Sequence, residues 1–400
     1  MASKRAPPVW VMGLTSLPLG ITGAVALLIV PQLLAALHVP EPRIAEITGL
    51  ALLAGFACVP VSPILDVRFS RKTYTIAFTL LGGLLTTLSL LELENLALLG
   101  WLLFATFFSV SLAVAAAGGW LGSLVVKTDD SRLGAWLTVA NIAGFGITAI
   151  VGTGLIRALP SGFGALVLGL VAAAPALVCL FIQGPPPDRR LARESFGQFF
   201  SDLMALVRRP SVLLTVLLFA VPAASFALTN TLGGLGRDYS ASERFVSLAG
   251  GAGVTVAGVI GSLLVPRLAD RIPPRALYLG IGTLGALFTL SLIVLPRTPG
   301  VFLLAMGGEN IAQSAALATA NVVIFRTMGK DNPFAATEFA ILTAAVTVPI
   351  TYMQVIDGHA YGSGGLVGTY LTDAGLGLAA CAAMAVILIL TRRRFEPAQA

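Results

Sequence analysis

Charge is what this chain has least of. Lys, Arg, Asp and Glu together make up 11% of its 400 residues, less than half the roughly 25% of an ordinary soluble domain. A soluble fold of this length could not cover its surface with so few. The chain is also poor in the groups that build reactive and metal centres. It has two histidines, His38 and His359, and three cysteines. Cys58, Cys179 and Cys381 each lie inside an apolar stretch without metal-ligand spacing, so they read as small core residues rather than a disulfide framework or a zinc site. No G-x-x-x-x-G-K-[ST] loop occurs, which argues against a nucleotide-driven pump. No constellation of acid, base and metal ligand falls within the apolar stretches, which argues against an intramembrane enzyme. No cofactor is expected. The net charge of +6 could suggest a nucleic-acid partner, but the bases gather at the ends of apolar stretches, where they act as topology signals and not as a phosphate-binding face.

Apolar residues are plentiful instead, at 56% of the chain, with a mean hydropathy of +0.91. A helix needs about 20 apolar residues to cross a bilayer core. Twelve stretches qualify: 9–37, 44–65, 73–91, 96–125, 135–159 and 165–182, then 211–232, 245–265, 276–295, 301–325, 335–356 and 366–390. The first is too long for the apolar region of a signal peptide. The expected fold is an all-α integral membrane protein of twelve transmembrane helices in two six-helix halves, residues 1–183 and 211–400. Between them runs a polar linker, 184–210. It opens with Pro185-Pro186-Pro187, which cannot continue a helix. It then carries Phe196, Phe199, Phe200, Leu203 and Leu206 at helical spacing, the pattern of a short amphipathic helix on the inner membrane face. The gap at 357–365, between the last two spans, is polar and Gly-rich, and is either a loop or a break within one longer helix.

The bases fix an orientation. Lys4, Arg5, Arg68, Arg71, Lys72, Lys127, Arg132, Arg189, Arg190, Arg193, Arg208, Arg209, Arg267, Arg271, Arg275, Arg326, Lys330, Arg392, Arg393 and Arg394 fall at the termini or in alternate gaps. Only Arg43, Arg157, Arg237, Arg244 and Arg297 fall in the others. The positive-inside rule therefore predicts both termini and the linker in the cytoplasm, and a multi-pass protein of the cytoplasmic (inner) membrane.

Two gaps share a local pattern. After the second span comes Leu65-Asp66-Val67-Arg68-Phe69-Ser70-Arg71-Lys72. After the eighth comes Leu268-Ala269-Asp270-Arg271-Ile272-Pro273-Pro274-Arg275. Each puts an acid at a helix end and bases just beyond it, on the cytoplasmic side. This resembles the loop signature of the major facilitator superfamily, roughly G-x-x-x-D-R-x-G-R-R, with an extra residue between acid and base in the first copy and Ser70 where Gly is usual. The resemblance implies that Asp66, with Arg68, Arg71 and Lys72, and Asp270, with Arg271, hold one alternating-access state through carboxylate–guanidinium bonds that break during rocking.

Ionisable groups at membrane depth cost about 2.5–3.5 kcal/mol each on insertion scales. Glu309 is the clear case, well inside the tenth span. Glu46 and Glu338 lie near span ends where water is expected to reach them, and Asp357 and Asp373 flank the last polar gap. Glu309 is the candidate for carrying a coupling proton or meeting a cationic substrate group. Gln313 shares its helical face and Asn310 lies beside it. With Asn141, Asn230 and Tyr352 these are the candidates for lining a substrate cavity. Gly253, Ala257 and Gly261 form a small-residue stripe suited to close helix packing.

Finer segments extend the resemblance. Gly13-Leu14-Thr15-Ser16-Leu17-Pro18-Leu19-Gly20, Ser62-Pro63-Ile64-Leu65-Asp66, Glu309-Asn310 and Ala336-Thr337-Glu338-Phe339-Ala340 resemble the branch of AmpG-like anhydromuropeptide permeases, acetyl-CoA transporters and siderophore importers. That branch implies proton-driven import of a mid-sized polar solute, muropeptide-like or siderophore-like, by a monomer whose partners are that solute, protons and the bilayer. A proton antiporter exporting drugs or metabolites is the alternative. Exporters of the superfamily carry Gly-Pro in the fifth span, and Asn141-Ile142-Ala143-Gly144-Phe145-Gly146-Ile147-Thr148 has no proline.

Overall fold

The computed structural model describes residues 7–159, 162–184 and 196–395. Lys4, Arg5, Pro185–Pro187, Arg189, Arg190 and Arg193 lie outside the described residues, as do the side chains of Arg157, Phe196, Phe199, Phe200, Arg392, Arg393 and Arg394. The described chain is helical throughout, with no strand among the described residues. The helices are α1 (Val9–Ala36), α2 (Glu41–Ala57), α3 (Arg71–Leu91), α4 (Leu96–Leu124), α5 (Asp130–Ala158), α6 (Phe163–Phe181), α7 (Phe196–Val207), α8 (Pro210–Ala220), α9 (Leu228–Thr231), α10 (Glu243–Ala269), α11 (Pro274–Ser291), α12 (Pro299–Met328) and α13 (Ala335–Phe395). Among the described residues, eight are long and apolar enough to cross a bilayer, or ten if each of two bent pairs counts as one span. α11, 18 residues long, and the two arms of α13 on either side of its kink correspond to the expected spans 276–295, 335–356 and 366–390.

Contacts divide the chain into two compact units. One is Met1–Leu206 with Met328–Ala344, the other Val207–Thr327 with Ala345–Ala400. The first unit takes in the opening of α13.

In the first unit, Val25, Ile29 and Leu34 of α1, Ile47 and Ala51 of α2, Leu99 and Leu103 of α4 and Leu168 of α6 form one buried cluster. Pro60 and Pro63 remove backbone donors after α2. The chain there tightens into a 3-10 stretch, Val59–Asp66, bent 45° from α2, which carries Asp66 to its end. Leu203 and Leu206 of α7 pack on Val67 and Phe334. The apolar side of the linker helix is thus met at these residues by protein, where the sequence pattern placed it on the membrane face.

In the second unit, the expected seventh span is broken. α8 stops at Ala220, and Val221 is extended (φ −87°, ψ 153°), the conformation that the following Pro222 imposes on its predecessor. A break within a membrane must satisfy its freed carbonyls internally. Tyr352 Oη donates to Ala220 O (3.0 Å), Cys381 Sγ to Ala223 O (3.0 Å) and Gln313 Nε2 to Phe226 O (3.4 Å). Gly261 of the small-residue stripe sits so close to α12 that a Cβ there would stand 2.1 Å from Ile311 O.

α13 runs over 61 residues but turns at Gly365 (φ 57°, ψ −154°). Asp357 and Asp373, sixteen positions apart, would be about 24 Å apart along a straight helix. Yet Thr369 Oγ1, twelve positions further on, donates to Asp357 O (3.4 Å), and the two carboxyls act on each other. The chain therefore reverses at Gly365, with the two acids eight positions on either side of it. The Gly-rich gap is a helical hairpin rather than a loop. A side chain at these dihedrals is strained by about 1–3 kcal/mol. Gly365→Ala should therefore lower the melting temperature of the purified protein in detergent by several degrees, and an unchanged melting temperature would contradict the reversal.

Candidate functional site

The first site is at the junction of the Val59–Asp66 stretch with the opening of α13. Asp66 sits at a helix N-terminus, where free N–H groups favour an anion. Its Oδ1 accepts from Arg71 Nε (2.7 Å) and Ala336 N (3.1 Å), and its Oδ2 from Thr337 N (2.9 Å) and Thr337 Oγ1 (2.7 Å). Arg71 also donates Nη2 to Pro333 O (2.7 Å) and Asn332 O (3.1 Å). The Asp66 side chain is fully buried and that of Arg71 nearly so. This one ion pair, with five further hydrogen bonds, ties the second span to the eleventh. Asn332 extends the network: its Oδ1 accepts from Phe334 N (2.9 Å) and its Nδ2 donates to Glu338 Oε2 (2.6 Å). Glu338 is completely buried, contrary to the expectation that water reaches it. Its place one turn inside α13 faces protein, not the aqueous end.

The bases of the first signature have separate tasks. Lys72 Nζ donates to Ile182 O (2.7 Å) and Leu180 O (3.3 Å) at the end of α6. Arg68 takes a left-handed backbone (φ 68°) and lays its guanidinium over the Phe69 ring at 5.4 Å. The second signature has no such network among the described residues. Asp270 and Arg271 are exposed and form no ion pair. Glu46, as expected, is exposed and pairs with Arg43 (2.6 Å).

The second site is in the second unit. Glu309 is buried on α12, its Oε1 accepting a hydrogen bond from Thr289 Oγ1 of α11. Asn310 Nδ2 turns back to Met306 O (2.8 Å). Gln313 Nε2 donates to Thr229 Oγ1 (2.6 Å) beside the broken helix. Glu309 is not the lone deep acid that the sequence suggested. Asp357 is 1% exposed and Asp373 9%, and both act electrostatically on Glu309. The hairpin at Gly365 draws the two aspartates inward from positions that read as the edges of a polar gap. Glycines at 358, 362, 364 and 365 were the signal available for that fold-back. A small cleft beside the helix break is lined by Pro222, Ala223, Ser225, Phe226, Thr289 and Asp373. Of the remaining cavity candidates, Tyr352 and Gln313 cap the break, Asn230 is exposed, and Asn141 is half-buried on α5 of the first unit. No group of three or more His, Cys, Asp or Glu residues among the described ones could hold a metal ion.

No protein-family model and no curated protein sequence matches the chain. Solved structures do. FucP, described as a Major Facilitator Superfamily transporter in its outward conformation, superposes with a TM-score of 0.68 at 17% identity, covering 97% of this chain and 98% of that one. The chain has the major facilitator fold. Two further structures with this fold are a bacterial homologue of the iron transporter ferroportin, outward-facing (TM-score 0.61, 17% identity, 97% and 100% covered), and the human organic anion transporter MFSD10 (TM-score 0.65, 16% identity, 94% and 98% covered). In the terms of the major facilitator fold, the Asp66 network joins the second and eleventh spans, and the acids cluster on the tenth, eleventh and twelfth.

Proposed function

We propose that the chain is a secondary active transporter of the major facilitator superfamily that imports a mid-sized polar solute with protons, by alternating access. The observation that carries this reading is the Asp66–Arg71 network. A fully buried carboxylate gathers charge-assisted bonds from its own loop and from a helix N-terminus far along the chain. A bundle that rocks between two states needs a bond set made in one and broken in the other. The fold neighbours support transport as the class: one of them is described as the E. coli fucose:proton symporter. Their printed cargoes, a sugar, an organic anion and iron, are chemically unlike, so the fold leaves the cargo open. The muropeptide-like or siderophore-like assignment rests on the short motifs around Pro18, Pro63, Glu309 and Glu338. Glu309 is the proposed proton carrier, and Asn310, Gln313 and Tyr352 the polar groups nearest to it in sequence or on the break.

The reading also assigns two six-helix halves, 1–183 and 211–400, with both termini and the 184–210 linker in the cytoplasm. In a background without the three native cysteines, a cysteine at Arg190 should label in opened membranes and stay unlabelled in intact cells. External labelling there would overturn the orientation. For function, reconstituted vesicles with an inward proton gradient should accumulate a labelled anhydromuropeptide or siderophore from a panel. Accumulation only when the gradient is reversed would assign export instead.

A further inference from the structure

We propose that Asp357 and Asp373 form a two-carboxyl proton site that holds one proton between them and works as a unit with Glu309. The proposal deepens the proton-coupled reading above. Its geometry comes from the hairpin at Gly365, which folds the segment bearing Asp373 back on the segment bearing Asp357, with Thr369 bonded to Asp357 O and both acids buried. Ionised carboxylates are acceptors only, so two of them can share a hydrogen bond only when one carries a proton.

Among the described residues, no basic side chain is paired at the site. Neither oxygen of Asp357 has a donor, nor has Asp373 Oδ1, although both residues are at least nine-tenths buried. Glu309 comes from a different helix and repeats the situation: Thr289 holds Oε1, and Oε2 has no donor. Glu309 of α12 acts on the pair from another helix, and Tyr370, one turn before Asp373, acts on Glu309 and pairs its hydroxyl with that of Tyr239 (2.6 Å). Among the described residues, every ion pair lies in the first unit, and no Lys, Arg or His is paired with any of the three acids. Three buried carboxyls without a base leave protons as the compensating charge. The cleft at the helix break reaches Asp373 and Thr289, and Thr289 is bonded to Glu309. A proton arriving at Asp373 can thus be shared with Asp357, while Thr289 links the same cleft to Glu309.

Infrared difference spectroscopy between acid and alkaline buffer, on the purified full chain without substrate, reads this site directly, with protons as the only probe. The wild type should show a deuterium-sensitive band of a protonated buried carboxyl. Asp357→Asn and Asp373→Asn should each displace the band, because a proton shared by two carboxyls is then held by one acid beside an amide. Glu309→Gln should keep the pair's band and move the pH at which it appears, because the aspartates and Glu309 act on each other. An unchanged band in both aspartate variants would overturn the proposal, as would a band lost on adding sodium at fixed pH. If the asparagine variants do not fold, Asp357→Glu keeps the acid while moving it by a methylene, and should displace the band; an undisplaced band would again overturn it. Because no solute is present, failure here is distinct from failure of the transport reading, which would leave the band intact.

Discussion

Asp66→Asn should release the opening of α13 and slow transport by at least about tenfold, while equilibrium binding of substrate stays within a few-fold. The change is nearly isosteric, so folding has little reason to fail. What it removes is the charge that Arg71, two backbone N–H groups and the Thr337 hydroxyl all address. Breaking a buried ion pair from one side costs about 3–5 kcal/mol. Arg71 keeps its bonds to the Asn332 and Pro333 carbonyls, so the low end applies. With every 1.4 kcal/mol worth a factor of ten, the population of this arrangement should fall by about a hundredfold against its alternatives. A cysteine at Ala340, buried in this structure, reports that population, and its labelling should accelerate accordingly. Thr337→Val, which removes only one of the four bonds, should have a smaller effect of the same sign. Unchanged labelling together with unchanged transport would return the loop to a topology signal.

Glu309→Gln should abolish uptake driven by a pH gradient while substrate exchange without a gradient survives. The glutamine keeps an oxygen to accept from Thr289 and is neutral, so it imitates the protonated acid, and the bundle can still rock. A structural acid predicts a different outcome, with expression or thermal stability falling and exchange lost along with uptake. The neighbouring aspartates sharpen the comparison. If the three acids act as a unit, Asp373→Asn should also depress gradient-driven uptake, and combining it with Glu309→Gln should add less than the two single effects, as expected for groups in one network. Wild-type pH dependence in a stable Glu309→Gln protein would rule out the coupling role.

Some of this was legible along the chain because its physics is local or one-dimensional. Hydrocarbon requires about 20 apolar residues per crossing, so twelve stretches could be counted before any contact was known. A proline disfavours helix at its predecessor, so Pro18, Pro60, Pro63, Pro222 and Pro349 marked places where spans could bend; the chain bends at Pro60 and Pro63 and breaks before Pro222, while Pro349 lies inside α13, whose turn comes at Gly365. The acid–base spacing of Asp66 and Arg71 survives as a real 2.7 Å ion pair, because five residues at a helix end span little distance.

Other features depended on which residues meet in three dimensions. The two signature loops look alike, yet Asp66 is buried and bonded while Asp270 is exposed, because only Asp66 finds a helix N-terminus opposite it. Tyr352 and Gln313 read equally well as cavity lining, yet they donate to carbonyls freed by the break after Ala220, a need no linear pattern states. Glu338, Asp357 and Asp373 lie near the predicted ends of spans, where the sequence by itself allows water. The sequence determined how many apolar stretches can cross a bilayer, where proline can bend them and which loops carry the bases, since hydrophobic length, proline geometry and charge count act along the chain. The tertiary structure decided which acids are buried together, because that follows from the reversal at Gly365 and the approach of α12, and burial belongs to the packed arrangement rather than to any residue's position in the sequence.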